Sequence, residues 1–67
     1  MFSVYHIFRS GEPDRVLSPR RMESEYPEVK RALDRSRKDT VKIKWGSGRK
    51  MIVTKAARSD FDEAIIE

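Results

Sequence analysis

The sequence contains no cysteine, which excludes disulfides and thiolate metal ligands and fits a reducing, cytoplasmic setting. Its only histidine, His6, forms no Ser–His–Asp trio and no metal-ligand motif at a recognisable spacing. We therefore expect no catalytic residue, no metal and no cofactor. No apolar run approaches the ~18–20 residues that cross a membrane, and the N-terminus lacks the pattern of a signal peptide. These absences predict a non-enzymatic, cytoplasmic protein that does not contact membranes.

The chain is also short, and its 67 residues predict a single small domain over residues 1–67. A Rossmann domain, a barrel or an enclosed substrate cleft would not fit in this length. Hydrophobic residues make up 37% and charged residues 39%, but the apolar residues are clustered, which favours a folded domain over a disordered tail. So small a core is marginally stable, and a homodimer that buries an edge strand or Ile52 would add stability.

The charge is distributed unevenly, although the net charge is only +4. Residues 1–34 carry six bases and six acids. Residues 35–58 carry nine bases against Asp39 alone, for a net charge of +8, and residues 59–67 carry four acids and no base. This pattern predicts a surface that attracts a polyanion, or one that the acidic C-terminus neutralises by folding over it.

The first half of the chain predicts one strand followed by helix. Residues 2–9 are rich in β-branched and aromatic side chains at both parities, which is typical of a central strand covered on both faces. A turn cluster ends the strand, and residues 16–17 read as a short apolar connection. Ser18 and Pro19 indicate a helix start. Pro27 then predicts either a kink in one helix over residues 19–36 or, as we favour, a second helix that begins there.

The second half predicts a hairpin and a short final helix. Residues 40–45 alternate apolar and polar, and a three-residue loop over 46–48 would set Ile43 opposite Met51 and Lys44 opposite Lys50. Ser59 predicts the cap of a last helix. The fold class is therefore α+β, in the order β-α-β-β-α, with an antiparallel sheet and helices packed on one face.

The expected core contains apolar residues from every predicted element. They are Phe2, Val4, Ile7, Phe8, Met22, Val29, Leu33, Val41, Ile43, Met51, Val53, Phe61 and Ile65. We expect His6 to be a half-buried strand residue rather than a catalytic or pH-sensing group. The Gly-rich stretch 46–48 reads as a hairpin turn rather than a phosphate cradle, because it lacks the strand–loop–helix context of a Walker loop.

The candidate binding residues are basic and lie near the hairpin, together with one aromatic residue. They are Lys42, Lys44, Trp45, Arg49 and Lys50, extended by Arg35, Arg37 and Lys38 if the helix end folds beside the hairpin. The lysines would form a basic ribbon that touches phosphates, or a solvated face that protects an edge strand from aggregation. Trp45 would anchor the core, stack on a base or serve as an interface hot spot.

Two function hypotheses follow from these residues. The first is a small nucleic-acid-binding module, for DNA or RNA, that uses the basic hairpin face. The second is a small interaction or inhibitor protein that docks on an acidic surface of a larger protein. In size and α+β pattern the chain resembles, in a general way, the accessory proteins of phage and mobile elements, and it carries no RNP, KH, zinc-finger or basic-zipper motif.

Overall fold

A computed structural model describes residues 3–67, so Phe2, expected in the first strand and the core, lies outside the described residues. The elements are β1 (Ser3–Arg9), β2 (Arg15–Leu17), α1 (Pro19–Glu25), α2 (Pro27–Arg35), β3 (Thr40–Lys44) and β4 (Lys50–Ala57). Two 3-10 turns, Arg58–Asp60 and Glu63–Ile65, follow β4. The α+β class and the antiparallel sheet are confirmed, and the finer order differs at two places: an additional strand, β2, and a C-terminus without an α-helix.

The four strands form one antiparallel sheet in the order β2-β1-β4-β3. β1 is central, as its apolar residues at both parities predict, and it pairs with β4 along its full length. Val16 and Leu17 are not a connection but part of strand β2, where Leu17 pairs with Tyr5. This strand completes the backbone hydrogen bonding of β1, whose polar groups would otherwise line an open edge.

The helical region contains two helices, as we favoured. The Ser18 hydroxyl accepts a hydrogen bond from the Arg21 amide at 3.3 Å and caps α1, which begins at Pro19. Tyr26 leaves helical geometry, with φ −135° and ψ 61°, because the residue before a proline is disfavoured in the α region. Pro27 then begins α2 at the first helical position, where no amide donor is required.

The hairpin between β3 and β4 has the predicted three-residue loop and register. Ile43 lies opposite Met51, and the Trp45 amide donates to the Arg49 carbonyl at 2.9 Å. Gly48 adopts a left-handed φ of 86°, a conformation that a side chain disfavours and that three-residue hairpin loops require at this position. The loop therefore fixes which side of the hairpin each lysine occupies.

The core lies between the two helices and one face of the sheet. Its buried members are Tyr5, Ile7, Leu17, Met22, Leu33, Met51 and Val53, and Tyr26, Val29, Val41 and Ile43 pack against it. Most of these were expected. Leu17 was missed because β2 was not predicted, and Tyr5 was missed although it has the parity of Ile7. Phe8 is only half-buried, because its parity places it on the opposite face of the sheet, which carries no helix.

The C-terminus does not form the predicted helix, and Ile65 is 53% exposed rather than in the core. Asp62 caps the second 3-10 turn by accepting from the Ala64 amide at 3.0 Å. Ile66 then pairs with Val16 in a parallel bridge on the outer edge of β2. A helix this short is unstable by itself, and the hydrogen bonds offered by the β2 edge extend the chain instead.

Candidate functional site

The clearest feature of the surface is a run of seven bases between the end of α2 and the start of β4. We call it the basic strip. Its members are Arg35, Arg37, Lys38, Lys42, Lys44, Arg49 and Lys50. Asp39 is the only acid within residues 35–50, so this segment has a net charge of +6, and the remaining 51 residues carry eight bases and ten acids, a net charge of −2. The positive charge of the molecule is therefore concentrated in one segment.

The fold brings the two halves of the basic strip together. Arg37 and Lys38 line the same open concavity as Lys42, together with Asp39 and Thr40. Arg37 and Lys38, which follow α2, thus extend the group of basic residues on the hairpin. The sequence alone did not show whether they would lie beside it. Arg35 is exposed in the last turn of α2, where the helix dipole favours a base.

The hairpin register places Lys44 directly opposite Lys50, and both side chains are exposed. Like charges in a directly opposed pair destabilise a sheet by roughly 0.2–1 kcal/mol. Lys42 lies two residues before Lys44 on the same face of β3, the edge strand. The geometry therefore concentrates three lysines on one face of the hairpin, although the opposed pair weakens the sheet.

Within residues 3–67, no ion pair includes a member of the basic strip, whereas every base outside it except Arg20 and Arg31 is paired. Lys30 and Lys55, for example, both contact the carboxylate of Asp34, at 3.0 and 3.3 Å. The strip is thus a set of exposed cations that the acids of the described chain leave unneutralised.

Trp45 lies at the tip of the hairpin and is 47% exposed, so the expectation that it anchors the core is wrong. It shares the parity of Ile43 but follows the last residue of β3, beyond the part of the sheet that the helices cover. The backbone amide of Trp45 is bonded to the Arg49 carbonyl. For the exposed indole, base stacking and an interface hot spot remain as predictions.

The acidic C-terminus does not fold over the basic strip, contrary to one sequence-based expectation. Glu67 pairs with Arg15 at 2.7 Å, and Glu63 pairs with Arg58. Arg15 belongs to β2, at the edge of the sheet opposite β3. The tail therefore closes the far edge of the sheet, and it leaves the basic strip uncovered.

Arg15 joins two carboxylates at that far edge. Its guanidinium donates to Glu67 at 2.7 and 2.9 Å and to Glu25 of α1 at 3.0 and 3.1 Å. Hydrogen bonds from Arg15 and Arg21 lower the pKa of Glu25 from 4.5 to about 2, and Arg15 lowers the pKa of Glu67. The same two carboxylates raise the pKa of Arg15. These contacts join the C-terminus, β2 and α1.

This cluster predicts acid sensitivity. Because the pKa values of Glu25 and Glu67 are lower in the folded protein, their ion pairs stabilise the fold above about pH 4.5 and are lost as the pH falls toward 2. We expect the urea midpoint, followed by circular dichroism, to fall across that window. Arg15→Met should flatten the fall; an identical acid profile in this variant would contradict the assignment.

A second polar contact, between Tyr5 and Asp34, connects the core to α2. The Tyr5 hydroxyl donates to Oδ1 of Asp34 at 3.1 Å. Burial raises the pKa of Tyr5, and the hydrogen bond to Asp34 raises it further. Hydrogen bonding from Lys30, in turn, lowers the pKa of Asp34. This contact gives the buried phenol a partner and is structural.

The sequence analysis predicted helices on one face of the sheet, but it did not place Phe8 on the other face, which carries no helix. His6 is half-buried there, as expected, and its ring stacks on Phe61 with centroids 5.9 Å apart, while its Nε2 lies 3.0 Å from Asp14. Phe8 and Ile52 lie opposite each other farther along this face, and both are half-buried. The alternation of parity in the first strand was the signal that could have revealed this face.

Within residues 3–67, no three histidine or carboxylate side chains lie close enough together to hold a metal ion. No helix in that part of the chain is long and apolar enough to span a membrane.

The fold and the strip together define a small α+β domain with a basic edge. Comparison of the chain with known protein families, with curated proteins and with solved structures finds no match.

Proposed function

We propose that this protein is a non-enzymatic nucleic-acid-binding module whose basic strip contacts phosphates. The observation that supports this most strongly is the concentration of seven bases within 16 residues, against a single acid, with none of the seven in an ion pair to a described residue. Lysine and arginine gain affinity for a polyanion by releasing its condensed counterions, and they do so best when no carboxylate competes for them.

The spacing of the hairpin lysines suits a row of phosphates. Lys42 and Lys44 lie two residues apart on the same face of β3, which separates their Cα atoms by about 7 Å. A separation of this size lets the two ammonium groups contact different phosphates of one strand. Lys50 lies across from Lys44, and the flexible stems of all three side chains allow each ammonium group to reach a nearby phosphate.

Single alanine variants test this proposal. Lys42→Ala, Lys44→Ala and Lys50→Ala should each lower affinity by about fivefold at ~0.1 M salt, to a similar extent for every base sequence. Their melting temperatures should match the parent, because these side chains are exposed and none is in an ion pair among residues 3–67. Fluorescence anisotropy with labelled oligonucleotides measures the affinities.

Arg20→Ala is the matched control. Arg20 is an exposed base in α1, which packs against β1, β2 and α2 and thus lies away from edge strand β3. The Arg20→Ala substitution removes one positive charge, as each lysine substitution does, and we expect it to lower affinity less than they do. Equal losses in all four variants would show that only net charge matters, and absence of any binding at ~50 mM salt would overturn the proposal.

One observation favours a second candidate, a small interaction or inhibitor protein that docks on an acidic protein surface. Trp45 is exposed at the hairpin tip beside Arg49, and tryptophan and arginine are the residues most enriched at interface hot spots. In that case Trp45→Ala would weaken the partner complex far more than any one lysine variant, since rim charges contribute modestly. The same variant set therefore distinguishes the two candidates.

A further inference from the structure

The face of the sheet that carries no helix, which we call the helix-free face, has apolar side chains beside basic ones. The apolar residues are Phe8 and Ile52, and the basic residues are Lys42, Lys44 and Lys50. Phe8 of β1 pairs with Ile52 of β4, and Ile52 pairs with Lys42 of β3, so these three residues form one row across the sheet. The next row contains Lys50 and Lys44, with the Ser10 hydroxyl bonded to the Lys50 amide at 3.2 Å. Half-buried apolar side chains thus lie directly beside exposed lysines.

Among residues 3–67, the segment that follows β4 covers one end of this face. Phe61 stacks on His6, and Ile66 pairs with the edge strand at Val16, which is itself buried. Beyond His6, toward the hairpin, Phe8 and Ile52 are half-buried and Lys42 is exposed. The C-terminal segment therefore covers the end of the face that lacks the basic strip.

The width of the sheet argues against a duplex as the ligand of this face. A free two-stranded ribbon can enter the ~12 Å major groove, but β4 is paired with β1 from Ser3 to Arg9 and is not free. Four strands at about 4.8 Å spacing span roughly 14 Å before side chains are added. In a duplex, moreover, the base faces are stacked on one another and unavailable to Phe8.

We infer that the open part of the helix-free face binds single-stranded nucleic acid, with a base on Phe8 and Ile52 and the phosphates on Lys42, Lys44 and Lys50. This inference rests on the proposed function and specifies its substrate class. Charge complementarity favours this ligand. A single strand has unpaired bases, whose faces are apolar, beside an anionic backbone. The bases match the apolar residues of the face, and the phosphates match its lysines. An aromatic platform with a basic groove is how sequence-tolerant single-strand binding is achieved.

The test compares Phe8→Leu with Phe61→Leu. The two variants make the same change on the same face, but Phe61 lies at the end that the C-terminal segment occupies. Anisotropy with oligo(dT) and oligo(U) of about 12 nucleotides should show a loss of about tenfold for Phe8→Leu and little change for Phe61→Leu. The affinity ratio of the DNA and RNA probes distinguishes the two kinds of single strand.

A second arm uses the parent protein and does not depend on the stability of any variant. An oligonucleotide of the same length with abasic positions should bind about tenfold more weakly than oligo(dT), because its phosphates remain and its stacking surface is lost. A duplex of equal length should bind more weakly than the single strand.

Each outcome supports or overturns the inference. Duplex binding as tight as single-strand binding, or equal affinity for the abasic probe, would overturn the inference and leave the proposed phosphate contacts standing. If neither the single strand nor the duplex bound at ~50 mM salt, both the inference and the proposed function would be overturned.

Discussion

Leu33→Ala should leave the domain only marginally stable at 25 °C. Leu33 is 2% exposed and packs from α2 into the central cluster, next to the face formed by β1 and β4. Truncating a buried leucine to alanine costs about 2–5 kcal/mol, through lost burial and the cavity left behind. A core of this size rarely supplies more than ~3–5 kcal/mol in total, so a single truncation removes most of the stability. Urea denaturation followed by circular dichroism measures the loss.

The matched control is Ile65→Ala. Isoleucine and leucine have the same number of side-chain carbons, but Ile65 is 53% exposed after the last 3-10 turn. We expect a change within about 0.5 kcal/mol, typical of exposed positions. Comparable destabilisation by both variants would mean that the C-terminus packs into the core as a helix, as the sequence alone indicated.

Reversing the three hairpin charges should abolish binding to nucleic acid without unfolding the domain. Replacement of Lys42, Lys44 and Lys50 by glutamate changes the charge by six units and brings residues 35–50 from +6 to zero. The opposed pair at Lys44 and Lys50 remains a pair of like charges, so its cost within the hairpin is about the same before and after. We expect affinity to fall by more than about a hundredfold at ~0.1 M salt.

The control for this variant reverses exposed bases outside the basic strip. Arg20→Glu with Arg31→Glu changes two positions on the helices, neither of which is in an ion pair among the described residues. Binding should weaken only slightly, and thermal melts of both variants should remain cooperative. If the helix variant lost binding as completely as the hairpin variant, the location of the charge would not matter.

Much of the fold could be predicted because local chemistry agreed with the final structure. Pro27 disfavours a continuous helix but fits the first position of a new one, and α2 begins there. In the hairpin, the alternation of residues 40–45 is compatible with a single strand register once the loop has three residues. The differences arose where tertiary hydrogen bonds decided the outcome. β2 forms because β1 needs a partner on its second edge, and the tail extends because β2 in turn offers an edge at Val16.

The sequence analysis named the residues of the candidate site, but it predicted only part of how they are arranged in space. The sequence identified the seven bases and Trp45, and the register that places Lys44 opposite Lys50. It could not place the acidic tail, because the partner of Glu67 is Arg15, 52 positions away in the chain. It also could not show that Phe8 lies on a face without helices, since that depends on which side of the sheet the helices pack.

The salt dependence of binding tests the central claim most directly. Suppose that the strip neutralises about four phosphates. The slope of log affinity against log salt should then be about −2.8 for a single strand, or about −3.6 if a duplex binds, and Lys44→Ala should flatten it by ~0.7–0.9. Between ~50 and ~200 mM salt, affinity would fall by about fiftyfold for the single strand. A slope near zero, or a slope that Lys44→Ala leaves unchanged, would contradict the account.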